Sequence, residues 1–90
     1  MKIVCVCAMG LGSSLILRMS VETALKGLGI KDAKVEVADT STAKASGADI
    51  IVSSHSFCKQ LGDMGIPMIE IVNYADSNYI SQELEKILNT

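Results

Sequence analysis

Cys7 closes an apolar, β-branched run, Lys2-Ile3-Val4-Cys5-Val6-Cys7, and opens the segment Cys7-Ala8-Met9-Gly10-Leu11-Gly12-Ser13-Ser14. Gly10 and Gly12 permit backbone conformations closed to other residues and let the chain approach a ligand closely. Successive amide N–H groups in such a loop form a nest for an anion. A helix starting directly afterwards adds its unpaired N–H groups and the positive end of its dipole. Ser13 and Ser14 can cap that helix or donate hydroxyls to phosphate oxygens. The same field favours a thiolate over a thiol at Cys7. A thiolate facing an anion nest can attack phosphorus and hold the phosphoryl group. The alternative is a small core cysteine ahead of an ordinary tight turn. The loop matches neither the Walker pattern, which needs Lys-Ser/Thr after its last glycine, nor the full dinucleotide fingerprint.

The other reactive residue types are scattered. Cys5 lies two residues before Cys7, on the same strand face, and reads as a buried core thiol. The same reading applies to Cys58. With His55 these cysteines match no standard zinc spacing, so no metal is expected. His55, the single histidine, follows the third predicted strand and so falls at the same sheet end as Cys7. It reads equally as a donor to a phosphoryl group or as a loop residue without a role. Arg18 reads as a solvated charge. Asp39, Asp49, Asp63 and Glu70 show no paired-carboxylate spacing. The five methionines read as packing residues, Met9 in the loop excepted.

Four strands must position this constellation. Residues 2–7 read as a buried strand. A helix is predicted from Ser14 to Leu28, with Leu17, Val21, Ala24, Leu25 and Leu28 on one face and Gly27 and Gly29 as its stop. Residues 33–38 alternate apolar and polar, as at a sheet edge. Residues 40–46 suit a short helix, 48–53 a buried strand and 56–63 a two-turn helix. Pro67 opens a fourth strand over 67–72. Ile80, Leu84, Ile87 and Leu88 mark a last helix, capped by Asp76 or Ser77. Such alternation implies an α/β fold: an open four-stranded parallel sheet with helices on both faces, a Rossmann-like three-layer α/β/α arrangement. Ligands of such sheets bind at the carboxyl ends of the strands.

Ninety residues make one domain, 1–90, with no internal repeat or linker. Its core must be aliphatic, because Phe57, Tyr74 and Tyr79 are the only aromatic residues. The net charge is −2 and the basic residues stand singly, which argues against nucleic acid. No segment approaches the roughly 20 apolar residues of a membrane span. The N-terminal apolar run is broken at Gly10 and Gly12, so no export signal is read and a cytoplasmic chain with reduced cysteines is expected.

A strand ending in Cys-x-x-Gly-x-Gly-Ser-Ser resembles the IIB subunits of the bacterial sugar phosphotransferase system, within the lactose/galactitol/ascorbate superfamily. The match at Cys7, Gly10, Gly12, Ser13 and Ser14 is to the ascorbate type. Ser46-Gly47-Ala48-Asp49-Ile50-Ile51 also looks familial. The resemblance implies that Cys7 accepts a phosphoryl group from a phosphohistidine on the IIA subunit. It then passes that group to the sugar, L-ascorbate by this likeness, at the membrane-embedded IIC subunit. The backbone of Ala8, Met9, Gly10, Leu11, Gly12, Ser13 and Ser14 would cradle the phosphate. No organic cofactor is implied. The chain would stay out of the bilayer and be recruited to its inner face by IIC. Apolar Ala8, Met9 and Leu11 depart from the small or polar residues of related loops. They suit either a docking surface or inward packing.

The Cys-loop-helix is also similar to that of low-molecular-weight tyrosine phosphatases. Those need an arginine after Cys-x5 to clamp phosphate bidentately. Ser13 stands there, and no Asp-Pro general acid occurs. A carrier has reason to omit both, since its phosphocysteine must outlast water attack. A phosphate-sensing regulatory module remains a third reading. If the loop activates Cys7, alkylation followed against pH should give a midpoint below the ordinary thiol value of about 8.5. An ordinary profile would remove the activated thiolate.

Overall fold

The computed structural model describes residues 1–6, 13–62 and 65–89, with Ser13 described for its backbone only. The elements run β1 (Lys2–Val6), α1 (Ser13–Gly27), β2 (Lys34–Ala38), α2 (Thr40–Lys44), β3 (Ile50–Ser53), α3 (His55–Leu61), β4 (Met68–Glu70) and α4 (Ser77–Leu88). All strand pairs are parallel, in the order β2-β1-β3-β4. The fold is therefore the expected open α/β sheet, with the alternating strand β2 at an edge.

Strand geometry splits the core in two. Side chains alternate between faces along a strand. Ile3 and Cys5 join Ile50, Val52, Ile69 and Ile71 beneath Leu17, Val21, Ala24 and Leu25 of α1 and Ile80 and Leu84 of α4. Val4 and Val6 join Ala38 and Ile51 beneath Ala43 of α2 and Leu61 of α3. Helices thus cover both faces, and Ile3 to Val6 are wholly buried.

Local signals end the helices. The N–H of Ile30 donates to Leu25 O at 3.0 Å, and that of Gly29 to Lys26 O at 3.1 Å. This is a Schellman termination, with Gly29 at φ +76°. Asp39 Oδ1 accepts the Thr42 N–H at 2.7 Å, capping α2. These bonds to Thr42 hold the Asp39 carboxyl below the ordinary carboxylate range. Asp76 Oδ1 accepts the Tyr79 N–H and caps α4.

Several boundaries differ from the sequence expectation, each for a physical reason. β3 begins at Ile50 rather than Ala48, because the Asp49 carboxylate accepts the Lys2 N–H at 2.7 Å. A side chain closes the ladder there, preceded by the Gly47 turn at φ +71°. β4 ends at Glu70 rather than Val72. Ile71 still donates to Ser53 O, but Val72 is 98% exposed and Asn73 Oδ1 opens a turn by accepting the Ala75 N–H. α3 starts at His55 and stops before Gly62, at φ +67°.

A Cβ at Gly47 would meet no atom within 4 Å. Gly47→Ala is therefore expected to cost about 1 kcal/mol through its left-handed backbone alone. Urea unfolding should show a lower midpoint with an unchanged slope.

Candidate functional site at the carboxyl edge of the sheet

The strand order 2-1-3-4 reverses direction between β1 and β3. Ligands of open parallel sheets bind outside the carboxyl ends of the strands at such a switch point. Val6 and Ser53 are the paired last residues of these two strands. Cys7 is the next residue of the chain after Val6. Cys7, Ala8, Met9, Gly10, Leu11 and Gly12, and the Ser13 side chain, lie outside the described residues. What borders them is described: β1 leads in, and α1 starts at Ser13 with Ser14 half-buried in its first turn.

The link across the switch point is a side chain. Ser53 is fully buried, and its Oγ donates to the Val6 carbonyl at 2.6 Å. A buried hydroxyl needs such a partner, because leaving it unpaired costs roughly 1–3 kcal/mol. The carbonyl belongs to the peptide unit that Val6 shares with Cys7. Sequence reasoning passed over Ser53. Its signal was a polar residue closing the otherwise aliphatic run Ile50-Ile51-Val52.

Two residues further on, His55 Nδ1 pairs with Glu70 Oε1 from the end of β4. The His55 and Glu70 side chains are 73% and 50% exposed, so solvent reaches the ring. The structure thus gives His55 a carboxylate partner that its sequence position alone did not suggest. Cys58 is half-buried, with Sγ 3.8 Å from Ser53 O. Burial and the nearby Glu70 charge push its thiol up from the ordinary value, opposite to an activated cysteine. Cys5 is fully buried within the α1/α4 core, as expected. Arg18 forms an exposed ion pair with Glu22 at 3.7 Å. Among the described residues, no group of three His, Cys, Asp or Glu side chains could hold a metal ion.

The same edge carries exposed apolar side chains. Leu15, Ile16 and Met19 of α1 face away from its buried stripe. Met19 is 56% exposed, so the reading of it as a packing residue is corrected. A groove of about 250 Å³ separates α1 from the start of α4, lined by Ile16, Met19, Ser20, Thr23, Ala75 and Ser77. Ser20 holds its floor by donating to Tyr74 O at 2.6 Å. Another groove of similar volume, beside Leu25, Ile30 and Val35, lies at the opposite, amino end of the sheet.

The model of the phosphotransferase system lactose/cellobiose-specific IIB subunit matches residues 2–89. The chain belongs to this IIB family. A relative from Mycoplasma pneumoniae (strain ATCC 29342 / M129 / Subtype 1), an ascorbate-specific phosphotransferase system EIIB component, is 32% identical over 91 aligned positions. The match covers 98% of this chain and 95% of the relative. As a IIB chain it is a component of a phosphotransferase system. No described helix is long and apolar enough to cross a membrane.

Ser53→Ala is expected to lower unfolding free energy by about 1–2 kcal/mol, since the Val6 carbonyl loses a buried partner. Ser54 caps α3 without a side-chain hydrogen bond. Ser54→Ala should therefore stay within about 0.5 kcal/mol in the same denaturant measurement.

Proposed function

We propose that this chain is the cytoplasmic IIB component of a sugar phosphotransferase system and that Cys7 is its phosphocysteine. The observation that carries this reading is a cysteine next in the chain after β1, at the carboxyl side of the switch point, in a IIB-family chain. The Gly-x-Gly-Ser-Ser segment that follows it, and the helix α1 beginning at Ser13, support the reading. The amides of Ala8 to Ser14 cradle the phosphoryl oxygens, where charge is spread in the transition state.

The transfer has two balanced steps. The Cys7 thiolate attacks phosphorus, so the S–P bond forms from a sulfur lone pair as the donor's N–P bond breaks. The donor imidazole leaves neutral, because its other nitrogen carries a proton. In the second step the sugar hydroxyl oxygen attacks phosphorus and the S–P bond breaks, restoring the thiolate. The hydroxyl proton passes to a general base on the acceptor side. The donor is the phosphohistidine of a IIA subunit, and the acceptor sugar is held by a membrane IIC subunit. L-Ascorbate is the proposed sugar, on the name of the Mycoplasma relative and the loop motif. The exposed Leu15, Ile16, Met19 and Val72 supply apolar surface for these partners.

Incubation with the phosphorylated general carrier and cognate IIA, read by intact mass, should add one phosphoryl group. Cys7→Ser should lose it, while Cys5→Ser and Cys58→Ser keep it. An adduct that survives Cys7→Ser would overturn the assignment, and no adduct would favour a phosphate-sensing module.

A further inference from the structure

Among the described residues the sheet has two open edges, β2 and β4. β4 is three residues long and starts behind Pro67, features that discourage further pairing. β2 runs for five residues, Lys34–Ala38, without proline or glycine. Its one neighbour sets the direction of its backbone groups. The Lys34 N–H donates to Met1 O at 2.8 Å, and such groups alternate sides along a strand. Lys34 and Glu36 therefore bond to β1, and the N–H and C=O groups of Val35 and Val37 point outward. The side chains of Lys34 and Glu36 are exposed and share the α2/α3 face, in register with Lys2 and Val4. Val35 and Val37 share the α1/α4 face, in register with Ile3 and Cys5. Val35 packs against that core, while Val37 is exposed. Beside Val35 lies the groove of about 250 Å³ at the amino end, floored by Leu25, Ile30, Ala33 and Val35 and rimmed by Glu22 and Lys26.

We infer that β2 is a self-association surface, on which a second copy of this chain adds its own β2 antiparallel and joins two four-stranded sheets into one. The edge is complementary to itself, and charge selects the register. With Val35 opposite Val35 of the second copy, each Lys34 stands opposite a Glu36. These are non-hydrogen-bonded pairs, whose side chains approach most closely. Centring the pairing one residue either way sets Lys34 against Lys34 or Glu36 against Glu36, which is repulsive. In the favoured register the outward groups of the two Val35 residues exchange a pair of hydrogen bonds. The exposed Val37 of each copy falls opposite Ala33 of the other, on the α1/α4 face, at the mouth of the apolar groove. Apolar side chains thus fill the centre and charged ones the rim, as interfaces prefer. Glu36 already faces Lys2 at 3.4 Å, and its half-exposed carboxylate has a second oxygen for the incoming Lys34. A five-residue strand buries less than the roughly 1,200 Å² of stable interfaces, so the dimer is weak and reversible. The paired strands run oppositely, so the two carboxyl edges lie at opposite ends of the joined sheet and both stay open. The inference is independent of the phosphocysteine at Cys7.

Sedimentation equilibrium of the full chain from about 10 µM to 1 mM, at low salt, spans the range of transient contacts. The mass should rise from that of one chain towards two. A single-chain mass at the highest concentration overturns the inference, as does growth beyond two chains. Lys34→Glu alone and Glu36→Lys alone each set like charges opposite one another, and should weaken self-association at least about fivefold. An equimolar mixture of the two variants restores both opposite-charge pairs and should dimerise about as tightly as the parent. A mixture that stays monomeric refutes the register and with it the proposal. Amide exchange followed by NMR on the parent chain gives a readout without substitutions. The outward amides of Val35 and Val37 should slow several-fold from dilute to concentrated protein. Unchanged rates at both overturn the edge pairing whatever the variants do.

Discussion

The structure depends on one strand being enclosed on every side. β1 is hydrogen-bonded to β2 and β3 and covered by helices on both faces. Such a strand has no place for a polar side chain after Lys2, and Ile3-Val4-Cys5-Val6 contains none. A one-residue slip would exchange the two faces and their packing partners. Side chains hold the register at both ends. Asp49 accepts the Lys2 N–H at the amino end, and Ser53 donates to the Val6 carbonyl at the carboxyl end. The chain therefore reaches Cys7 from a strand with little freedom to shift.

Much of this was legible from residue types and spacing. An aliphatic β1, an alternating edge strand, and the helical stripe from Leu17 to Leu28 follow from burial on two faces, one face or one side. The Gly29 stop and the Asp76 cap follow from backbone chemistry. Contacts between residues far apart in sequence were not legible. Ser53 reads as the end of a strand until Val6 lies beside it, and Glu70 shows no paired-carboxylate spacing in sequence, so its pairing with His55 emerges only when β4 brings the two together. Periodicity also recorded only the buried stripe of α1. It did not flag Leu15, Ile16 and Met19, because an apolar residue off the stripe breaks no helical rule.

The familial segment Ser46 to Ile51 acquires a physical meaning here. Gly47 makes a turn that an L side chain resists, and Asp49 substitutes for a strand carbonyl opposite Lys2. Lys2 Nζ closes the same corner by donating to Ser46 O at 3.0 Å. A motif remote from the candidate site thus fixes β3 against β1, and through Ser53 it bears on the peptide leading to Cys7.

The placement of charge suits relay better than retention. Basic residues in the last helical turns complement the helix dipoles, and among the described residues they also leave the carboxyl edge without a fixed cationic clamp. A bidentate arginine would add charge-assisted hydrogen bonds of roughly 1.5–3 kcal/mol each to a bound phosphoryl group. That would deepen the phosphoprotein well and raise the barrier to the next transfer by up to the same amount. A carrier between two partners must avoid such a well while still stabilising the charge in transit. On the proposed reading, the backbone amides of the loop would spread that stabilisation over neutral dipoles. On the proposed relay, the serine at position 13, where a phosphatase needs its arginine, suits a site that receives a phosphoryl group without trapping it.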